Sequence, residues 1–551
     1  MEQDVLITDC GVIGGGLAGS VTALELAEAG KHVDLFVKRD LIKDNNSYLI
    51  AGGLAAVPPQ TMNHDSIKHH IQDTLDAGKK LNNYSIVEDC IDHFFSDVIE
   101  YLQKKGVDFD KVNGSFHLNK EGGHHAKRNF HVGDTTGNSI MKTLGELLRS
   151  HENITIHDKH MAIDLITAQK VKNKVNKNTC LGFYVYDSRK DSVKTIQCSG
   201  TFICTGGLGK IFLYTSNSDT STGDGFAMCY RSGLPLVNME FIQFHPTVFF
   251  DPAAEAEGER RFLLTEALRG AGAFLTVTKD AEEDFVLQYT PQGSHATRDV
   301  VSLAEDIEMR KHGLNHVWLN CTSIPKQKFK RDFKQTFNLC MSKGIDPTQE
   351  PIPVVYATHY SNGGVLVGSD SQTTLQGCYV IGETAYTGLH GATRLAGNSA
   401  PECVYFARKA ATHFLKEHRN HKKSTVPPWD VGTAVESKDK ITVAYYWEMI
   451  RRTMNSLCGM SRNQERLLAA QHLLQSLKES INSYYWNYQV TCDFLEVRNI
   501  AEIANVVVES ALFRKESRAS HYREDYPTTD DATFQKLTSI SKDTSPNLVT
   551  I

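Results

Sequence analysis

Gly14-x-Gly16-x-x-Gly19 has the spacing that turns a buried strand straight into a helix over a phosphate group. The first glycine makes the tight turn. The second lets backbone N–H groups approach a pyrophosphate at the positive helix end, and the third lets helix lie close on strand. A second set of chemically able residues, Glu121 with His117, His124, His125 and His131, sits on glycine-rich loops. Paired histidines can hold a metal, but neighbours followed by Lys127 and Arg128 read as a polar loop, and Glu121 is left as the substrate contact. A third stretch, Ser221-Thr222-Gly223-Asp224-Gly225, opens a helix, with Asp224 able either to accept from a hydroxyl or to cap that helix.

These residues need elements to hold them. Val12 and Ile13 end an apolar run, Ala23, Leu24 and Ala27 then repeat at helical spacing up to Gly30, and His32–Val37 reads as the next strand. Strand, turn, helix and strand together favour dinucleotide binding over a chance glycine-rich turn. The acidic residue such a site expects at the end of the second strand is absent; Lys38 stands there, with Asp40 two further on. Residues 44–57 are small, glycine-rich and still apolar, as a backbone tracking a flat ring would be, or as a plain buried loop would be. Alternating segments at 153–164 and 182–201 read as strands, ending in Phe202-Ile203-Cys204-Thr205-Gly206-Gly207, which returns the chain to the cofactor. The stretch 387–399 opens a second helix through Val404, Phe406 and Ala410, so two positive helix ends converge on one ligand.

The chain has 551 residues, enough for several domains, and its net charge of −6 carries no long run of one sign, which argues against nucleic acid. Its 12 cysteines form no CxxC pair, so we expect reduced, mostly buried thiols, no iron–sulfur cluster and no metal. The acidic start Met1-Glu2-Gln3-Asp4 and the lack of an apolar run of about 18 residues point to a soluble cytoplasmic enzyme. Residues 66–106 read as scaffold helices, 416–428 as a linker, 443–457, 464–488 and 495–513 as long helices, and the Ser/Thr-rich tail after Tyr526-Pro527 as loosely ordered.

A set of motifs in order carries a resemblance: GGGLAG at Gly14, AGGLAAV at Ala51, HLNKEGG at His117, GDTTG at Gly133, TGG at Thr205, TGDG at Thr222, QFHPT at Gln243, LLTEALRG at Leu263, RDVV at Arg298, HYSNGG at His359, IGE at Ile381 and TGLHGATRLAGNS at Thr387. Over nearly its whole length the chain resembles the succinate dehydrogenase and fumarate reductase flavoprotein family, and within it the aspartate-oxidising branch. The resemblance implies an α/β Rossmann-like FAD-binding domain (1–239 and 360–423), an inserted α+β capping domain (240–359) and a C-terminal helical bundle (424–551). By position it implies that Gly14, Gly15, Gly16, Leu17, Ala18, Gly19, Lys38, Asn46, Ser47, Tyr48, Leu49, Ile50, Ala51, Gly52, Gly53, Ala162, Ile163, Asp224, Glu383, Ser399 and Ala400 hold FAD. Asn46 stands where the dehydrogenases carry a flavin-linking histidine, which implies non-covalent FAD. Ala51, Ala271, Thr393 and Gly397 depart from the family's usual residues.

The chemistry so implied is oxidation of L-aspartate to iminoaspartate, with O2 or fumarate as electron acceptor, as the first step of NAD biosynthesis before quinolinate synthase. The alternative is a fumarate reductase or succinate dehydrogenase flavoprotein. His245, His359, Arg394 and Thr265 form a cationic and hydrogen-bonding clamp for a dicarboxylate. Arg298 matches the family's proton-transferring arginine, with a second carboxylate clamp as its other role, and Arg269 joins the catalytic set. Glu121 and Glu266 supply negative charge for a substrate ammonium, which a plain dicarboxylate lacks.

Overall fold

The computed structural model describes residues 5–59, 65–172, 177–251, 261–417, 426–437, 439 and 441–550. The acidic start and most of the expected linker lie outside the described residues. Cys10–Ile13 (β1) and Val33–Val37 (β2) are buried along their whole length, as parallel strands covered on both faces require. With Ile154–Asp158 (β3), Gly200–Ile203 (β4) and Cys378–Val380 (β5) they form an all-parallel sheet in the order β5-β4-β1-β2-β3. Leu17–Glu28 (α1) leaves β1 directly and packs against Ser399–Glu417, so the two helices whose N-termini were expected to converge lie side by side.

Residues 67–77 and 84–104 are helical, as their spacing implies: Ile67–Ala77 (α2), then Tyr84–His93 and Glu100–Lys104, the latter two joined by a π-helical turn at Phe94–Ile99 that the apolar pattern does not reveal. Between 242 and 361 the chain builds a separate antiparallel sheet from Ile242–Phe249, Ile352–Ser361, Val317–Asn320 and Phe274–Thr276, and the helix Arg298–His312 (α3) packs on it. Arg298 is the first residue of α3, which holds the guanidinium at a fixed end of a rigid element. Ile441–Leu457, Gln464–Asn487 and Cys492–Phe513 (α4) pack on one another. Among the described residues the twelve cysteines form no disulfide, and all but Cys403 and Cys492 are buried.

The tail is not loosely ordered. Leu537–Ser541 and Thr544–Val549 pair as a hairpin, and Leu537–Ser541 also pairs with Leu236–Val237, register Leu236↔Ile540, with Ile540 1% exposed. The polar composition hid a strand whose partner at Leu236–Val237 lies some 300 residues away. A buried ion network, Arg514 with Glu240 and Glu516, and Arg518 with Glu516 and Asp531, fastens the same segment.

Candidate active site

The turn after β1 shows why glycine stands at its positions. Gly14 has φ +103°, and a Cβ there would lie 2.2 Å from the Cys204 carbonyl oxygen; at Gly19 it would lie 1.8 Å from the oxygen of Gly14. Gly16 precedes α1 without a side-chain cap, and of the first-turn amides Leu17 N donates to Ser47 Oγ at 2.9 Å. Gly14 to Ala18 line a cavity of about 950 Å3, lined also by Ser399, Ala400 and Cys403 at the start of the second helix. A long cavity with helix N-termini at one wall and uncapped amides fits a dinucleotide pyrophosphate. Gly14, Gly15, Gly16, Leu17, Ala18, Lys38, Asn46, Ser47, Leu49, Ile50, Ala51, Gly52, Gly53, Ala162, Asp224, Glu383, Ser399 and Ala400 all line it. Three expected residues do not. Gly19 packs helix on strand, Tyr48 lies against the core on the far side of its turn, and Ile163 joins Met161, Tyr186 and Leu495 in a small cluster.

At one end, Lys38 Nζ lies 2.8 Å from both Asp224 Oδ2 and Glu496 Oε1. Burial disfavours its charge, yet these two carboxylates hold its pKa above the ordinary lysine value. Asp224 does not cap its helix; the cap residue is Gly223, in the left-handed region at φ 70°, and Asp224 instead accepts from Lys38, Thr222 and Asn499. Glu496 and Asn499, three residues apart on α4, were not legible as site residues, because nothing local ties that helix to the dinucleotide turn. In the middle, Glu383 accepts from Ser361 N at 3.0 Å, and burial pushes its pKa up to about 7. The glycine at 397, with φ +83°, fits its place: a Cβ would lie 2.1 Å from Asn129 Oδ1.

The other end gathers Glu121, His245, Thr265, Glu266, Arg269, Arg298, His359 and Arg394 around the same cavity. Arg394 is held from three sides: its N–H donates to Asn362 Oδ1 at 2.9 Å, its Nη2 to Gln243 Oε1 at 2.9 Å, and its guanidinium lies 4.7 Å from the Tyr360 ring centre. Burial, then the nearby Arg298, lower its pKa to about 10. Gln243 could have been found from its place two residues before His245 in one strand; Asn362 and Tyr360 follow His359 directly. Thr393 accepts from Gln243 at 3.2 Å, so this departure supports Arg394 from behind.

Two expectations change. The histidines are hydrogen-bonding groups, not cations: burial first, and then Arg298, hold His245 and His359 well below the ordinary histidine value. His245 Nδ1 accepts from Thr247 N at 3.3 Å, so the ring proton sits on Nε2, which is buried without a partner among the described residues. His359 Nδ1 lies 2.8 Å from Ser216 Oγ. The positive charge of the clamp is therefore arginine alone. Second, Glu266 is not available to an ammonium. Arg298 Nε donates to its Oε2 at 2.7 Å and Arg269 Nη2 lies 3.3 Å from its Oε1. Burial raises its pKa, but these two arginines outweigh that and hold it below the usual carboxylate value. Glu121 keeps its carboxylate without a hydrogen-bond partner among the described residues, and burial raises its pKa against the pull of Arg298 and Arg394.

A family model described as an FAD binding domain matches residues 9–400, and one described as the fumarate reductase flavoprotein C-terminus matches 447–551. Over 95% of its length the chain is 40% identical to L-aspartate oxidase 1 of Ralstonia nicotianae, covering 96% of that protein. The chain belongs to the L-aspartate oxidase family of flavoproteins. The L-aspartate oxidase of Pseudomonas aeruginosa is 39% identical, with 96% of each chain covered, and the chloroplastic one of Arabidopsis thaliana is 34% identical over 98% of this chain and 84% of that protein. Among solved structures, a quinol fumarate reductase of E. coli superposes with a TM-score of 0.85 at 25% identity, covering 99% of this chain and 96% of that one. The Sdh1 complex of Mycobacterium smegmatis in its apo form gives 0.82 at 28% identity, covering 100% and 94%. FAD is the cofactor of this family's cradle, and the chain is an FAD-dependent oxidoreductase. Among the described residues no helix is long and apolar enough to cross a membrane, and no cluster of His, Cys, Asp and Glu has the form of a metal site.

Proposed function

We propose that the chain oxidises L-aspartate to iminoaspartate with non-covalently held FAD, in the cytoplasm, and passes the electrons to O2 or fumarate. The observation that carries this reading is Glu121: a carboxylate without a hydrogen-bond partner among the described residues, standing in the cavity with Arg394 and with Arg298, whose Nε is paired with Glu266. Two arginines suit two carboxylates. A lone carboxylate among them is unfavourable toward succinate or fumarate and favourable toward an amino acid.

Arg394, pre-set by Gln243, Asn362 and Tyr360, takes one substrate carboxylate. Neutral His245, through Nε2–H, and His359 donate to the substrate without adding charge, and Thr265 adds a hydroxyl. Glu121, raised by burial, pairs with the ammonium and takes the proton the amine must shed before Cα can lose hydride. Bound FAD supplies the hydride acceptor at its N5. Arg298 faces the substrate with Glu266 and Arg269 behind it, a line of alternating charge that suits carboxylate binding and proton movement between cavity and capping segment. This line favours fumarate reduction at the same site as a second reaction, since addition of hydride to an alkene must be followed by a proton. Iminoaspartate is unstable in water, so handing it to quinolinate synthase in NAD biosynthesis fits the chemistry. The test is product analysis: L-aspartate should release ammonia in step with flavin reduction, and flavin reduction without ammonia would overturn the reading.

A further inference from the structure

Glu121 stands on a loop that has little stiffness of its own, so something else must hold it. Gly122 and Gly123 follow it, Gly123 at φ +85°, and the loop leaves and rejoins a short antiparallel pair, Leu118–Asn119 with Asn129–Phe130. A Cβ at Gly123 would lie 2.8 Å from Leu395 Cδ1, so this loop rests directly on the turn that carries Arg394.

We propose that His124 and Arg128 are positioning residues that set where the Glu121 carboxylate stands relative to Arg394, and thereby determine the preference for an amino acid over a plain dicarboxylate. The proposal rests on the reading of Glu121 as the ammonium partner. His124 joins the two loops: its Nε2 lies 2.6 Å from the Ala396 carbonyl oxygen and its Nδ1 3.2 Å from Arg128 Nη1. Since a guanidinium only donates, Nδ1 accepts and Nε2–H donates to Ala396, which fixes the tautomer. Arg128 is fully buried. Its Nε and Nη2 donate to Asp65 at 2.8 and 2.7 Å, and its Nη1 donates to Asp73 at 2.6 Å. Asp73 also accepts from His125 N at 3.0 Å.

One face of α2 supplies the anchor. His70, Asp73 and Thr74 lie at i, i+3 and i+4; His70 Nε2 lies 2.9 Å from Asn398 Oδ1, and Thr74 Oγ1 accepts from Asn398 Nδ2 at 3.0 Å. The same helix therefore grips the Glu121 loop through Asp73 and the Arg394 turn through His70 and Thr74, and His124 closes the bracket between them. A paired buried charge with a hydrogen bond at each of its three nitrogens is geometrically exacting. Arg394 has its own supports in Gln243, Asn362 and Tyr360, so weakening the bracket frees Glu121 first.

The experiment uses the holoenzyme in five forms: wild type, His124→Phe, His124→Gln, Glu121→Gln and the double variant His124→Phe/Glu121→Gln. In His124→Phe, aspartate kcat/KM should fall about tenfold, mainly through KM, while flavin content holds and fumarate reduction stays within about twofold. His124→Gln, which keeps a donor for Ala396, should recover most of the loss. In the Glu121→Gln background His124→Phe should add nothing, because the two act as one unit. Hydrogen exchange adds a readout that is independent of substrate: amides 120–127 should exchange faster in His124→Phe, with 394–398 unchanged. Equal losses in both assays, additive losses in the double variant, or unchanged exchange of 120–127 would each overturn the bracket. An unchanged aspartate-to-fumarate ratio in Glu121→Gln alone would instead overturn the ammonium reading, and the exchange result would still judge the bracket.

Discussion

Replacing Glu121 by glutamine keeps shape and removes one charge, so it isolates the ammonium contact. A full Coulomb estimate for charges 4 Å apart at an effective dielectric constant near 20 is about 4 kcal/mol. Hydrogen bonds to charged groups measured in proteins are worth roughly 1.5–3 kcal/mol, and since Glu121 is only partly buried this lower range applies. Aspartate kcat/KM should therefore fall about ten- to a hundredfold, at about 1.4 kcal/mol per decade. Fumarate gains from the same change. Its two negative ends no longer face a third carboxylate, and Arg394 and Arg298 lose a partner that drew on their charge. The assay is aspartate oxidation and fumarate reduction on one preparation, with flavin content measured. Parallel losses in both would show that Glu121 only supports its loop, and the argument for an amino-acid substrate would fail with it.

Arg298→Lys should keep FAD but lose about a hundredfold or more in turnover, about 3 kcal/mol, because lysine cannot both reach the substrate and hold Glu266; near wild-type turnover would reduce Arg298 to a bystander. Acid precipitation should leave the flavin in the supernatant, since the Asn46 amide accepts from Ser218 N and donates to Ser221 and its nitrogen is not a nucleophile that could bond a flavin; yellow protein pellets would refute this. Glu383 carries a pH signature. Its folded pKa is raised from 4.5 to about 7, so the stability it contributes is complete below pH 4.5 and is lost as pH rises through 7. A shift of that size is worth on the order of 3 kcal/mol, so the apoprotein's melting temperature should fall less between pH 5 and 8 in Glu383→Gln than in wild type. Identical pH profiles would deny that this carboxyl is neutral in the fold.

Much of the cofactor end was legible because its chemistry is local. A strand, three glycines and a helix are contiguous in the chain, and their backbone roles are read from spacing alone. The candidate clamp residues were legible only through the family motifs that carry them, QFHPT for His245, RDVV for Arg298, HYSNGG for His359 and TGLHGATRLAGNS for Arg394. What spacing could not give was pairing between distant segments. Glu266 looks as free as Glu121 in the sequence, and only the approach of α3 puts Arg298 on it. Lys38 looks anomalous until the fold brings Asp224 and, from α4, Glu496, 458 positions later, to its ammonium. The protonation of the histidines was hidden for the same reason: burial and the field of neighbouring arginines belong to the assembled cavity. The tail was misread because a Ser/Thr-rich strand has no signal of its own until Leu236–Val237 offers it an edge.

The central claim is that a carboxylate inside an arginine-lined cavity selects an amine-bearing dicarboxylate as the hydride donor. The most direct test is anaerobic rapid mixing of the oxidised holoenzyme with L-aspartate and, separately, with succinate, following loss of the flavin absorbance in a single turnover. The account predicts fast, complete bleaching by L-aspartate and slow or no bleaching by succinate. Bleaching by succinate as fast as by L-aspartate would contradict it.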